Sequence, residues 1–187
     1  MMRIAYVWFS ALGLAGWVAA KLVERAKARR VVLLLSEVDD KKLVFGVFDR
    51  ILKVREAGTS AAAWPEHERV AVLAMETPAI IGNGGFSFLF GSNLEVDPTY
   101  LLSLRALDAV GADAAASAYR DALALFPKGS VPADLERRRH EVSQFDEAEL
   151  AAIDRRFWHA KDELAGQVAT YIRAHRPEFE AVWKGSR

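Results

Sequence analysis

The chain has 187 residues, of which 52% are hydrophobic and 27% are charged, and these proportions exclude a disordered or collagen-like protein. It contains no cysteine, which excludes disulfides, thiolate zinc sites and a cysteine nucleophile. The net charge is zero, yet residues 1–30 have six basic residues and one acidic residue, giving +5, so the remainder carries −5. Such asymmetry is typical of a basic leader joined to a mildly acidic domain.

The leader begins with an uncharged stretch, residues 4–20. As a helix this stretch would be roughly 26 Å long, close to the ~30 Å hydrocarbon core of a membrane. Five basic residues follow within 21–30, and the positive-inside rule keeps such a flank in the cytoplasm. We therefore predict a hydrophobic N-terminal helix with a basic flank over 1–30. It would be a membrane anchor through residues 4–23 of a single-pass inner-membrane protein with a cytoplasmic domain. A cleaved signal peptide and a helix of a soluble cytoplasmic protein are the alternatives.

The first part of the body shows the apolar period of a helix. Apolar residues recur at intervals of three and four from Val44 to Leu52. Ser36 followed by Asp39 resembles a capping box ahead of that helix. A second helix is expected to begin at Pro65, and Pro78 is expected to end or kink it because proline removes a hydrogen-bond donor.

The second part of the body continues the helical pattern. Asp97 and Pro98 are expected to begin a helix that reaches Val110, and Asp113 to cap an alanine-rich helix. Asp146 is expected to cap the longest helix, which would run to Pro177. No strand-like alternation and no repeat is evident, so residues 31–187 are predicted to form a single compact all-α domain of about six or seven helices.

Residues 80–93 read IIGNGGFSFLFGSN and raise the question of a nucleotide site. They lack both the G-x-G-x-x-G spacing of a dinucleotide loop and the lysine of a phosphate-binding loop. We interpret the glycines as a sharp reversal, with Gly84 or Gly85 at positive φ and the apolar residues from Ile80 to Phe90, Phe88 included, buried around it. The stretch then indicates a structural corner.

The sequence offers little chemistry for catalysis. No two histidines lie three or four residues apart, and no serine lies in a G-x-S-x-G elbow. We predict no catalytic residues, no metal and no cofactor, and therefore no enzyme. Arg137, Arg138 and Arg139 form a basic run, but the acidic balance of the body argues against direct binding of nucleic acid.

Several spaced blocks resemble the DNA-mimic-protein family, an all-helical group also described as a domain of unknown function. The blocks are Asn83-Gly84-Gly85-Phe86, then residues 109–112 (AVGA), then residues 122–127 (ALALFP). The resemblance spans residues 36–180. Where the family usually has a glutamine two residues after the phenylalanine, this chain has Phe88.

The resemblance implies an all-α bacterial protein, with members often dimeric, so a homodimer is one expectation. It also implies binding of a transcription regulator in place of DNA through carboxylates spaced like phosphates. The candidate acidic partner face consists of Glu95, Asp97, Asp108, Asp113 and Asp121.

Our leading hypothesis is a non-enzymatic, membrane-tethered protein-interaction module with an unknown protein partner. An acidic mimic that binds a transcription regulator is the alternative. An enzyme with a pocket at the glycine corner is the second alternative.

Overall fold

The computed structural model describes residues 21–55, 61–94 and 97–185. Within these ranges every regular element is helical and no strand occurs, which confirms the predicted all-α class. The α-helices are α1 (21–35), α2 (Asp40–Val54), α3 (Glu66–Ile81), α4 (Gly85–Gly91), α5 (Leu101–Ala109), α6 (Asp113–Ala124), α7 (Leu135–Val142), α8 (Glu147–Ala160), α9 (Leu164–Ala174) and α10 (Arg176–Gly185).

Helix α3 lies at the centre of the domain. Its five consecutive residues from Val70 to Ala74 are all buried, which is the pattern of a helix surrounded by protein. Helices α2, α4, α5 and α9 pack against it, and α6 packs against α5 and α8. The α3–α4 junction, which holds the glycine corner, is therefore fixed to the core of the domain.

Helix α2 begins three residues later than the predicted capping box at Ser36 suggests. Asp39 is the N-cap, and its side chain accepts a 2.9 Å hydrogen bond from the backbone N–H of Lys42. Ser36 instead donates to the carbonyl of Val32 and so belongs to the end of α1. The expected capping box from Ser36 to Asp39 is wrong because Ser36 still lies in the last turn of the preceding helix. Helix α1 also crosses the boundary drawn between residues 30 and 31, and its Val31 is buried in the core.

Pro78 does not end α3, so the expected end of the helix at this residue is wrong, whereas the expected kink stays a prediction. The helix continues for one turn to Ile81, which is fully buried, as is Thr77 on the same side. A proline inside a helix costs about 3 kcal/mol. Burial of the last turn against the core is the physical reason why the helix continues.

The expected single helix from Asp146 to Pro177 is also wrong, although Asp146 caps α8 as predicted by accepting from the N–H of Glu149. A 3₁₀ turn at Lys161–Glu163 separates α8 from α9. The turn changes the direction of the chain, so that α8 packs on α6 while α9 packs on α2 and α3. One straight helix could not reach both of these surfaces, and this is the physical reason for the break between α8 and α9.

The apolar stretch 4–20 lies outside the described residues. In the described part of the chain, no helix has both the length and the apolar character needed to cross a membrane. The described residues therefore give no support to the predicted location as a single-pass inner-membrane protein, and that prediction is not retained.

Candidate functional site

The glycine corner is a reversal between α3 and α4. Gly85 has φ +74°, which confirms the prediction of a left-handed residue, whereas Gly84 at φ 167° is extended. Phe86, Leu89 and Phe90 follow on the inner face of α4 and are fully buried. Phe88 points the other way and is 45% exposed, so its predicted burial is wrong. The reason is that the stretch is helical, which places residue 88 opposite residues 86 and 90.

The N-terminal end of α4 is held by Asp154 of α8. The backbone N–H of Phe86 donates a 2.9 Å hydrogen bond to Asp154 Oδ1. The carboxylate also fills the space where a Cβ on Gly85 would lie. Glycine is therefore required at position 85 both for its φ angle and for the close approach of Asp154. Nothing local in the sequence marks Asp154 as the capping residue, because it lies 68 positions away.

We expect Gly85→Ala to lower the free energy of unfolding by about 2–3 kcal/mol. The left-handed conformation costs a residue with a Cβ about 1–2 kcal/mol, and displacement of Asp154 removes a helix cap that is worth about 1 kcal/mol. Urea unfolding followed by circular dichroism measures the change. Gly129→Ala is the control, since Gly129 has φ +65° but open space around its Cβ position. An equal loss in the two variants would contradict the role of Asp154.

The C-terminal end of α4 is held by two arginines of α7. Arg138 is 2% exposed and donates to the carbonyls of Phe90 at 2.6 Å and Ser92 at 2.9 Å. Its Nη1 donates to Pro132 O at 2.7 Å, and its guanidinium lies over the Tyr100 ring. Arg139 donates to the carbonyl of Gly91 at 3.1 Å. These side chains satisfy carbonyls that a helix end leaves unpaired.

The arginine run therefore does not form a basic patch. Arg137 pairs with Glu141 at 3.0 Å and Arg139 pairs with Glu136 at 3.1 Å, while Arg138 is buried. One residue of the three is structural, and the other two are partly neutralised.

An aromatic cluster packs against the buried face of α4. The Phe86 ring contacts the rings of Tyr119 and Phe157, and the Phe90 ring contacts those of Tyr100 and Phe126. Burial raises the pKa of the Tyr119 hydroxyl well above its ordinary value. Burial also raises the pKa of Tyr100, although the nearby Arg138 opposes that shift. Both phenols are therefore neutral at physiological pH.

A groove of about 560 Å³ lies along the outer side of α4, and we call it the α4 groove. It is lined by Gly84, Ser87, Phe88, Gly91, Ser92, Asn93 and Arg139. The two serine hydroxyls donate to carbonyls of their own helix, Ser87 to Gly84 O and Ser92 to Phe88 O. Arg139 is the charged residue of the lining. The groove thus offers an aromatic side chain, a guanidinium and an amide, but no acid–base pair.

Among the described residues, the members of the predicted acidic partner face do not form a group of exposed, unpaired carboxylates. Glu95 lies outside the described residues, and Asp97 is fully buried. Asp108 forms an ion pair with Arg120, and Asp121 pairs with Arg156 at 2.8 Å. Asp113 lies exposed in the first turn of α6. A partner role for Asp108, Asp113 and Asp121 stays a prediction, whereas Asp97 cannot reach a partner.

The burial of Asp97 has a clear cause. Its Oδ2 accepts a 2.7 Å hydrogen bond from the N–H of Ser103, in the first turn of α5. Helix α5 begins at Leu101 after Tyr100 at φ 61°, so the expected start at Asp97 and Pro98 is wrong. Asp97 caps the helix from outside it. In the described ranges, no group of three or more His, Asp or Glu side chains has an arrangement that could hold a metal ion.

Residues 62–175 match the family model of the DMP19-like proteins, and this segment exceeds half of the chain. The chain belongs to the DMP19-like protein family. The match confirms the resemblance to the DNA-mimic proteins that the sequence blocks indicated. It includes α3 to α9, and with them the α4 groove, whereas α1, α2 and α10 lie outside it. No curated protein and no solved structure matches the chain significantly.

Proposed function

We propose that this DMP19-like protein is a non-enzymatic interaction module that binds a partner protein through the α4 groove. The observation that carries the proposal is Phe88, a large apolar side chain that is 45% exposed on a helix held at both ends. Aromatic and arginine side chains contribute most of the binding energy in many protein interfaces. A rigid backbone also lowers the entropy lost on binding. Phe88 would be the anchor and Arg139 a polar contact at the rim.

Acidic mimicry of DNA is less well supported by the described surface. Mimicry requires carboxylates whose charges are free to attract a DNA-binding face. Asp108 and Asp121 are paired with arginines, and Asp97 is buried. An enzymatic role for the groove lacks a titratable acid or base among its lining side chains. An interaction role requires neither a field of free carboxylates nor a catalytic acid or base.

The proposal is tested by affinity capture from the native host with the full-length chain. We expect Phe88→Ala to reduce recovery of the captured partner, and to weaken its Kd about tenfold once that partner is purified, which corresponds to about 1.4 kcal/mol. Leu101→Ala is the matched control, because Leu101 is 44% exposed and lies in α5, outside the groove. Equal recovery by the two variants, or recovery by the wild type no greater than by the tag alone, would refute the proposal.

A further inference from the structure

Helix α2 exposes an apolar stripe on the side away from the core. Phe45 is 61% exposed and Leu52 46% exposed, and Phe48 between them is half-buried. We call these three residues the α2 stripe. Their spacings of three and four place them on one helix face, while Leu43, Val44, Val47 and Ile51 fill the core on the other. An exposed row with this spacing has the geometry by which one helix packs against another.

The surroundings of the α2 stripe are basic. Lys41 and Lys42 are exposed at its N-terminal end, and neither forms an ion pair within the described residues. Lys53, at the other end, pairs with Asp49, an acidic residue beside the stripe. Helix α1, which packs beside α2 where Leu34 contacts Gly46, adds further exposed positive charge. Its exposed basic residues with no ion pair in the described ranges are Arg25, Lys27, Arg29 and Arg30.

The charge balance separates this layer from the family-matched segment. Residues 21–54 have nine basic and five acidic residues, a net charge of +4. Residues 62–175 have eleven basic and seventeen acidic residues, a net charge of −6. The α1–α2 layer is therefore a basic surface on an acidic domain, and it lies outside the part that defines the family.

We propose that the α2 stripe is a docking face for an acidic amphipathic helix of a partner protein. The apolar side of such a helix would cover Phe45 and Leu52, and its carboxylates would meet Lys41 and Lys42. Charge disfavours a second copy of this chain as the occupant. In a parallel pair of stripes, Lys41 and Lys42 would lie against the same lysines of the other copy. In an antiparallel pair they would lie near Lys53 of the other copy. Both arrangements bring positive charges together, which is unfavourable. This surface is separate from the α4 groove.

The test uses the full-length protein and two labelled synthetic helices of about five turns, or about 18 residues each. Both peptides carry the same leucine stripe, but one has glutamates and the other lysines on its remaining faces. By fluorescence anisotropy, we expect the acidic peptide to bind at least about tenfold more tightly than the basic one. Phe45→Ser should weaken its binding about tenfold or more. Lys41→Glu with Lys42→Glu should remove the preference for the acidic peptide.

Leu101→Ser and Phe88→Ala serve as controls, and both should bind the acidic peptide like the wild type. Binding that is lost in Phe88→Ala would place the peptide in the α4 groove and overturn the proposal. Equal affinity for both peptides, or no binding by the wild type, would also overturn it. So would a dimer in analytical ultracentrifugation that Phe45→Ser abolishes, or Phe45-dependent binding to phosphatidylglycerol vesicles without peptide binding. Far-ultraviolet circular dichroism and the melting temperature verify that each variant is folded.

Discussion

Arg138→Met is expected to lower the free energy of unfolding by roughly 3–5 kcal/mol, because several buried or half-buried carbonyls lose a charged donor at once. The carbonyls belong to Phe90, Ser92 and Pro132, so the loss affects the end of α4 and the segment that leads into α7. A typical domain has a total stability of about 5–15 kcal/mol. The substitution would therefore remove a large part of the stability of this domain. Urea unfolding followed by tryptophan fluorescence measures the change.

Arg137→Met is the matched control for that experiment. Arg137 is the neighbouring residue of the same helix, its side chain is 71% exposed, and its partner is Glu141 in the next turn. Such a surface pair contributes at most about 0.5 kcal/mol. Arg138→Lys should fall between the two, since an ammonium group cannot reach several carbonyls in the forked geometry of a guanidinium. Similar losses for Arg137→Met and Arg138→Met would show that burial of Arg138 is not what stabilises α4.

The second large effect is expected at Glu68. This carboxylate is fully buried in α3 and accepts hydrogen bonds from Arg55 Nε at 2.8 Å and Trp183 Nε1 at 2.7 Å. Arg50 lies over the Trp183 ring; burial lowers its pKa, and the charge of Glu68 opposes that shift. Glu68→Ala leaves the Arg55 guanidinium and the Trp183 indole N–H without this acceptor, and it removes the negative charge near Arg50. We expect a loss of roughly 3–5 kcal/mol, the usual cost of removing one partner from a buried ion pair.

Two further variants complete the comparison with Glu68→Ala: one is a surface control, and the other removes a single hydrogen-bond donor to Glu68. Asp49→Ala removes an ion pair with Lys53 that is exposed on both sides, and it should cost at most about 1 kcal/mol. Trp183→Phe keeps most of the ring and removes the indole donor, so it should cost about 1–2 kcal/mol. Thermal unfolding of the three proteins at one pH gives the comparison. A loss in Glu68→Ala no larger than that in Asp49→Ala would contradict the structural role of the buried carboxylate.

The features that the sequence predicts correctly are local ones. The period of apolar residues in α2 correctly indicates that Val44, Val47 and Ile51 are buried, although Leu52 of the same row is 46% exposed. Asp146 is recognisable as a cap because its acceptor group lies three residues from the N–H that it binds. Gly85 is predictable because left-handed backbone favours glycine. Each of these depends on physics within a few neighbouring residues.

The features that the sequence does not predict depend on contacts between distant segments. Asp154 and Arg138 are charged residues on helices, and in sequence they resemble ordinary surface residues. Their roles come from the α4 ends, which lie 68 and 48 positions away. The role of Glu68 is equally hard to predict from sequence, because its partner Trp183 is 115 residues away. The sequence also does not predict that Phe88 points outward. That direction follows from the helical conformation of α4, and a glycine-rich stretch is not a typical helix sequence.

Glu68 also links the two flanks of the chain, through two nitrogens of Arg55 on one side and the indole N–H of Trp183 on the other. Arg55 precedes the family-matched segment and Trp183 follows it, whereas Glu68 itself lies near the start of that segment. A fragment cut to residues 62–175 would keep the acid and lose both of its donors. The segment by which the family is recognised is therefore shorter than the unit that must fold together, and recombinant fragments of this protein need both ends to be retained.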